Sequence, residues 1–588
     1  MEYYVKPFWL FHKSIEGSLP KDTYFIRKDY WSLIPNGVYG YLKGKELIQG
    51  YISSLEARLS KIIQKYSYAY WYHLSRRILP FTAGLDDAPQ TIINMRYILT
   101  LAIQKYAQSG YCGHIAQSKR IKIEKVFNGL LEDINFKDER NILIKSPDQL
   151  VLTDFTHNNL REYYIAEKLA YEIWVCGAKM RSIAKGAQLF VDIDSKEYFT
   201  EIRSDKLEKL IESYDKRNKE FTSSKTGTVF NNKHFENDLS ILLPVLNSNN
   251  LNLNDIEEFL NSINFPIIDN YVPNYLLMPF PIKNFYESHK IFSDNFLKKN
   301  DVKLITILFI ITALCNRYLI ETFTKNIPFI GRIFMRGYEG PESQYSILSV
   351  IFRHKDEACK ILGVEYIPDQ QEIIDAINYL TVDRKKVSLL HPSTIRPFIK
   401  YNSTYYFIDY STIIEFLNGM FWNLELNKHS IKGDMLEKNI EFQKSYLLTK
   451  PLKSIGGSKK QIDYSIRIND LLIIVECKAV AMSSGVFSGD LKSLNFRYEK
   501  VIKLALKQAD EKAKWLINNP IGSNYSLDGI KKILPIGVSA FTEYIPSLDN
   551  YYWINDEIPR VLSISEFHEF IQSATDIEKS YNILFINK

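Results

Sequence analysis

The sequence predicts a multidomain protein: mostly α-helical N-terminal and middle regions, followed by a C-terminal α/β domain with a mixed sheet flanked by helices. Three observations carry that reading. The chain has 588 residues, too many for one core and enough for about three or four domains of ordinary size. Apolar residues recur at threes and fours through most of the chain up to about residue 390, the spacing of amphipathic helices. Beyond that point the period drops to two in short runs that alternate with helical stretches, as in a sheet covered by helices on both faces.

Taken in order, residues 1–221 contain "GKELIQGYISSLEARLSKIIQKYSYAYWYHLSRRIL" and "NNLREYYIAEKLAYEIWVCGAKM", both with helical periodicity. The stretch 222–255, with "TSSKTGTVFNNKHFEND" and "NSNNLNLND", is rich in turn formers and is expected to be a linker or long loop. Helical patterning resumes over 256–393, with turns at Pro266, Pro273, Pro279 and Pro281. At 394–430, "RPFIKYNSTYYFIDYSTIIEFL" reads as a hairpin turning at Asn402-Ser403, then a helix. In the final part, 431–588, "KGDMLEKNIEFQKSYLL" is expected to be helical, "QIDYSIRI" and "LLIIVECK" strands, and "LNFRYEKVIKLALKQADEKAKWLI" a long helix. "KILPIGVSAF" then reads as a strand, and "RVLSI" and "SEFHEFIQSA" as strand and helix.

Composition excludes several classes. Hydrophobic residues make up 46% and charged residues 24%, an ordinary globular balance. The five cysteines (Cys112, Cys176, Cys315, Cys359, Cys477) form no CxxC pair, against both a disulfide framework and a thiolate zinc site. The N-terminal "MEYYVKPFWLFHKSIEG" lacks the layout of a secretory signal. "LITILFIITALC", 304–315, is bracketed by Lys303 and Arg317 and falls short of the ~20 residues that span a bilayer, so it is expected to be a buried core helix. The expected location is cytoplasmic, with no membrane partner. "GVYGYLKGKEL", 37–47, lacks phosphate-loop spacing and is read as a turn. The lone histidines His157, His354 and His391 show no ligand spacing.

The informative stretch is "QIDYSIRINDLLIIVECKA", 461–479. An apolar strand fit for burial on both faces ends in Glu476-Cys477-Lys478. Asn469-Asp470 suits a two-residue hairpin turn, which would pair Ile468 with Leu471 and so set Asp463 directly opposite Glu476 on one face. Lys478 projects from the same face. Two carboxylates so placed repel unless a cation neutralises them. Hard oxygen donors suit Mg²⁺, with Mn²⁺ as a substitute, and a lysine beside the ion could orient or deprotonate a water. The competing reading makes Asp463 and Glu476 strand-end surface charges, with Lys478 their salt-bridge partner.

Asp463, twelve intervening residues, then Glu476-Cys477-Lys478 resembles the active-site signature of the PD-(D/E)xK phosphodiesterase superfamily, the restriction-endonuclease-like nucleases. The resemblance covers about 430–588 and implies that family's fold and metal-dependent cleavage of nucleic acid. It also implies a metal bond from the Cys477 backbone carbonyl. Gly433 and Glu437 are similar to a first-helix pattern in which the Glu points at the metal waters, and Gln508, on the face of Val501 and Leu504, is similar to an active-site glutamine of some branches. Gln461-Ile462 stand where a Pro often precedes the Asp.

Between Lys432 and Lys514 there are sixteen Lys and Arg against ten Asp and Glu, and Lys453, Lys459 and Lys460 lie just before Asp463. A basic rim of this kind suits a phosphate backbone. The expectation is a Mg²⁺-dependent nuclease that hydrolyses phosphodiester bonds as an endonuclease, on DNA ahead of RNA. Its helical 430 residues would sense a target, restrain the nuclease or bind a partner protein or a second copy, an architecture that resembles prokaryotic antiviral defence proteins. The alternative is a non-catalytic nucleic-acid- or protein-binding scaffold that keeps the fold.

Overall fold

A computed structural model describes residues 22–75, 88–108, 157–222, 228–230, 240–247, 274–323, 337–400, 403–421, 440, 444–572 and 580–586. Helices predominate, and several small sheets are set among them.

In the N-terminal region, α1 (Tyr41–Ile63), α2 (Ala88–Tyr106) and α3 (His157–Ala184) pack together. Leu55, Leu59, Leu99, Leu169 and Ile173 lie in their shared core, and each helix buries its apolar stripe there. The stretch read as a turn at 37–47 is instead the strand β1 (Gly37–Tyr39), which bends at Gly40 straight into α1. Its partners β2 (Gln188–Val191) and β3 (Phe199–Ile202) complete an antiparallel sheet, and α4 (Asp205–Thr222) follows.

Three departures from the expected pattern occur in the middle of the chain. The stretch expected to be a linker contributes β4 (Thr228–Phe230) and β5 (Ser240–Asn247), which flank β6 (Asn274–Pro281) in a three-stranded sheet. The apolar run "ILLPVL" at 241–246 supplies that strand between two polar clusters. β6 itself lies where helix was expected; its Pro279 and Pro281 fall beyond Tyr275–Leu277, the stretch that pairs with β4, where among the described residues the strand has a neighbour on the β5 side alone. α5 (Leu304–Phe323) is the buried core helix expected there: Leu304, Ile307, Leu308, Ile310 and Leu314 are all buried. Among the described residues, no single helix is long and apolar enough to cross a membrane. β7 (Tyr338–Ser343), also unexpected, carries a bulge that hides its alternation. It pairs with β9 (Tyr405–Asp409) of the expected hairpin, whose first strand is β8 (Phe398–Lys400). The hairpin therefore belongs to a sheet with the middle region.

The C-terminal part holds a short hairpin, β10 (Leu452–Lys453) with β11 (Lys459–Lys460), and a five-stranded mixed sheet. β12 (Tyr464–Ile468) and β13 (Leu471–Lys478) are antiparallel, and Ile468 pairs with Leu471 as the turn requires. Asn469 has φ 54°, the left-handed conformation that Asn tolerates. The helical segment runs as α6 (Leu491–Arg497), a π-helical turn at Tyr498–Lys503, and α7 (Leu504–Asn518). β14 (Lys532–Ser539) lies parallel to β13 and to β15 (Val561–Ser563); α8 (Ile564–Gln572) follows, and β16 (Leu584–Phe585) adds antiparallel to β14. Of the helix expected over 432–448, only Ile440 and residues 444–448 are described, and 444–448 are not helical. They are held along β12 instead: Tyr446 N donates to the Ser465 carbonyl at 2.9 Å and Leu447 N to Ser465 Oγ at 2.8 Å.

Strand alternation divides β13 between two cores. Leu471, Ile473, Val475 and Cys477 join the large core, while Leu472 and Ile474 pack with Ala513 and Leu516 of α7. Glu476 and Lys478 share the parity of Leu472 and Ile474, so the period of two aims both at α7. α7 can approach because Gly537, the β14 partner of Glu476, has no side chain: a Cβ there would lie 2.9 Å from Ala505 Cβ.

The N-terminal helices and the C-terminal sheet are joined by buried and half-buried contacts. Arg217 of α4 donates to the Glu543 carbonyl at 2.8 Å and to Glu566 at 3.1 Å, and Tyr214 meets Tyr544 edge-on at 5.8 Å. Tyr41 Oη accepts from Leu491 N at 2.8 Å. Gly489, at φ 67°, touches α3 so closely that a Cβ would fall 2.6 Å from the Met180 carbonyl oxygen.

Candidate active site

Where β12 begins and β13 ends, the chain gathers two carboxylates, two ammonium groups and an amide. Asp463 immediately precedes β12. Its Oδ2 accepts from Cys477 N at 2.9 Å, while Oδ1 accepts from Lys512 Nζ at 3.0 Å. Glu476 is buried; its Oε2 accepts from the same Lys512 ammonium and its Oε1 from Lys478 Nζ at 2.8 Å. Lys478 also donates to Gln508 Oε1 on α7. The Gln508 oxygen, not its NH₂, faces Lys478, because an ammonium only donates.

Four of the residues expected at a site, Asp463, Glu476, Lys478 and Gln508, thus come together. The hairpin register and the strand period put the first three there, and the helix crossing β13 brings the fourth. Part of the competing reading is also realised, since Lys478 and Glu476 form an ion pair. Gln508 reaches the site, but the face expected for it is only partly correct: Val501 is buried, whereas Leu504 is 38% exposed. The π-helical turn rotates the chain less per residue than an α-helix does and breaks the phase between them. Glu437 and Gly433 fall outside the described residues. Cys477 enters through its N–H, which fixes the Asp463 carboxylate, and its side chain is a small buried hydrophobe.

Lys512 was not singled out by the sequence reading. It lies four residues after Gln508, one turn along the same helix face, and that spacing was the available signal. Burial alone would lower the pKa of its ammonium, but the charges of Asp463 and Glu476 and the bonds to them outweigh burial, and the net shift is upward from the ordinary lysine value.

Two carboxylates that converge on one cation are a donor set that suits a hard divalent ion. Among the described residues, no group of three or more His, Cys, Asp or Glu side chains gathers to hold a metal. The protein donors on hand are Asp463 and Glu476, with water to complete a shell of the kind Mg²⁺ keeps.

The basic residues Lys453, Lys459 and Lys460 form the paired strands of the β10–β11 hairpin. Lys453 and Lys459 are exposed and Lys460 is half-buried. The hairpin leads within three residues to Asp463, and Ser458 at its tip accepts from Trp515 Nε1 of α7 at 3.0 Å. The lysines therefore border the same helix and strand that carry the site.

No protein-family model, curated protein or solved structure matches this chain.

Proposed function

We infer that the C-terminal part is a divalent-metal-dependent nuclease, with Asp463 and Glu476 as metal ligands, Lys478 beside the reacting phosphate and Gln508 holding Lys478. The observation that supports this reading is the convergence of Asp463, Glu476, Lys478 and Gln508 at one end of a mixed sheet. The resemblance to the PD-(D/E)xK superfamily points the same way, and the restriction-endonuclease-like fold is part of the proposal.

Phosphodiester hydrolysis adds water across a P–O bond: the water oxygen bonds to phosphorus, its proton is taken up, and the leaving oxygen departs to be protonated. A bound Mg²⁺ would supply Lewis-acid polarisation of the phosphate and a more acidic water. This chain's residues do the rest. Cys477 N–H holds the Asp463 carboxylate in place for the ion. The Lys478 ammonium offsets negative charge on the phosphate oxygens or orients the water. Lys453, Lys459 and Lys460 contact the flanking phosphates, which position the substrate without reading its sequence. DNA is the proposed substrate ahead of RNA, and sensing of a target by the helical regions, as in prokaryotic defence, belongs to the same proposal.

One observation favours a second reading, a nucleic-acid-binding scaffold: Lys512 and Lys478 together already balance both carboxylates. The test is incubation of the full chain with plasmid, linear duplex, single-stranded DNA and RNA in Mg²⁺, Mn²⁺ or EDTA. Cleavage is expected with either ion, none in EDTA, and a loss of orders of magnitude in Asp463→Ala and Glu476→Ala. Binding without cleavage under every ion would favour the scaffold, and undiminished cleavage by the alanine variants would overturn the nuclease assignment of these residues.

A further inference from the structure

The carboxylates that would hold a metal already share a cation. Lys512 Nζ bridges Asp463 Oδ1 at 3.0 Å and Glu476 Oε2, and Lys478 Nζ sits 2.8 Å from Glu476 Oε1. Two negative and two positive side chains cancel in a place where the four are only 6% to 15% exposed. A divalent ion added to that set with nothing moved would leave two uncompensated positive charges, which poorly solvated surroundings penalise heavily. One ammonium has to give way.

The two ammonium groups are held differently. Lys478 has a neutral acceptor, Gln508 Oε1, that remains when Glu476 turns to a metal. Both acceptors of Lys512 are the carboxylates themselves. Its charge stands at the end of a flexible four-carbon arm on α7, so the head can swing toward solvent without moving the helix.

We propose that Lys512 is the resident counter-ion of this site and that a divalent cation binds Asp463 and Glu476 by displacing it. The idea rests on the reading of these carboxylates as metal ligands and deepens it. Lys512 then lowers the site's affinity for the metal and keeps the two carboxylates from repelling one another when no metal is bound. Removing its charge exchanges one property for the other: tighter metal binding and a metal-free protein that is less stable.

The test is Mn²⁺ binding to the full chain, followed by electron paramagnetic resonance of the free ion, for wild type, Lys512→Met, Asp463→Asn and the double variant. Lys512→Met is expected to bind at least tenfold more tightly at unchanged stoichiometry, and Asp463→Asn to abolish the site in either background. Thermal unfolding gives a second readout, independent of the Mn²⁺ signal. Lys512→Met is expected to melt below wild type in EDTA and to gain more from Mn²⁺ than wild type does. If Lys512→Met binds Mn²⁺ no better than wild type while Asp463→Asn still removes the site, displacement is wrong and the metal-ligand assignment stands. If neither wild type nor Lys512→Met binds Mn²⁺, both fail.

Discussion

Three short-range rules acting in sequence bring Asp463, Glu476 and Lys478 together. Asn469-Asp470 sets the turn, the turn sets the register, and the period of two sets the face; the observed pairing runs to Tyr464 with Val475, one step short of Asp463 and Glu476, whose carboxylates share Lys512. Lys512 was legible only through its spacing from Gln508, because it otherwise reads as one more basic residue on a Lys-rich helix until the docking of that helix on the sheet is known. Gln508 lies between these cases. Its Oε1 accepts from Lys478 and makes no bond to either carboxylate, so its expected part is to position Lys478. Gln508→Ala should therefore lower the cleavage rate roughly 10- to 100-fold, the usual range for loss of a partner that orients a site residue, while Mn²⁺ affinity stays at the wild-type value. Parallel measurement of both quantities checks this, and a matching loss of Mn²⁺ affinity would place Gln508 with the metal instead.

Among the elements, long runs with one clear period were readable and short or irregular ones were not. α1, α3, α5, β13 and α7 appear where apolar spacing put them, since each has enough turns or alternations to bury a face. β4, β6 and β7 were missed: one is three residues long, one is broken by prolines and one is bulged, so tertiary pairing rather than local pattern makes them strands. The helix Ile282–His289 shows a further property that only packing reveals. Its last residue, His289, is buried against Phe285 at 4.4 Å and Phe421 at 4.5 Å, rings that also touch each other at 5.7 Å, with Nδ1 donating to the Phe285 carbonyl at 2.9 Å. Burial pushes its pKa down to about 4 from 6.5, although the hydrogen bond opposes the shift. Between those values the unfolded chain binds a proton that the folded chain does not. The stability from neutral His289 is therefore full above pH 6.5 and lost as pH falls toward 4, by roughly 3 kcal/mol at the limit. Urea unfolding of wild type and His289→Phe at pH 7.5 and pH 4.5 measures the effect. Wild type should lose more stability than the variant on acidification, and equal losses would show that His289 does not titrate in this window.

For the molecule as a whole, the division of the sequence near residue 430 marks a change of pattern rather than a physical seam. Arg217 lies within the first of the regions read from the sequence, yet its guanidinium is buried against Glu543 and Glu566 of the last. Gly489 and Tyr41 fasten the segment that follows β13 to α1 and α3. Sequence period is blind to such contacts because it reports which face is apolar and not what covers it. A fragment of residues 431–588 should accordingly fail to fold by itself, or unfold at a much lower temperature than the full chain. It would expose Tyr544 and Phe541 and leave Glu566 without Arg217. Circular dichroism melting of the fragment and the full chain decides the matter, and coincident transitions would show an autonomous domain. The same buried contact has a consequence in time. Arg217 and Glu543 are 326 residues apart, and at about 5–20 residues per second the ribosome needs roughly 16–65 s to travel between them. For that interval the nascent α4 presents Tyr214 and Arg217 with their covering surface not yet synthesised, so α4 cannot reach its final packing until the last part of the chain has emerged.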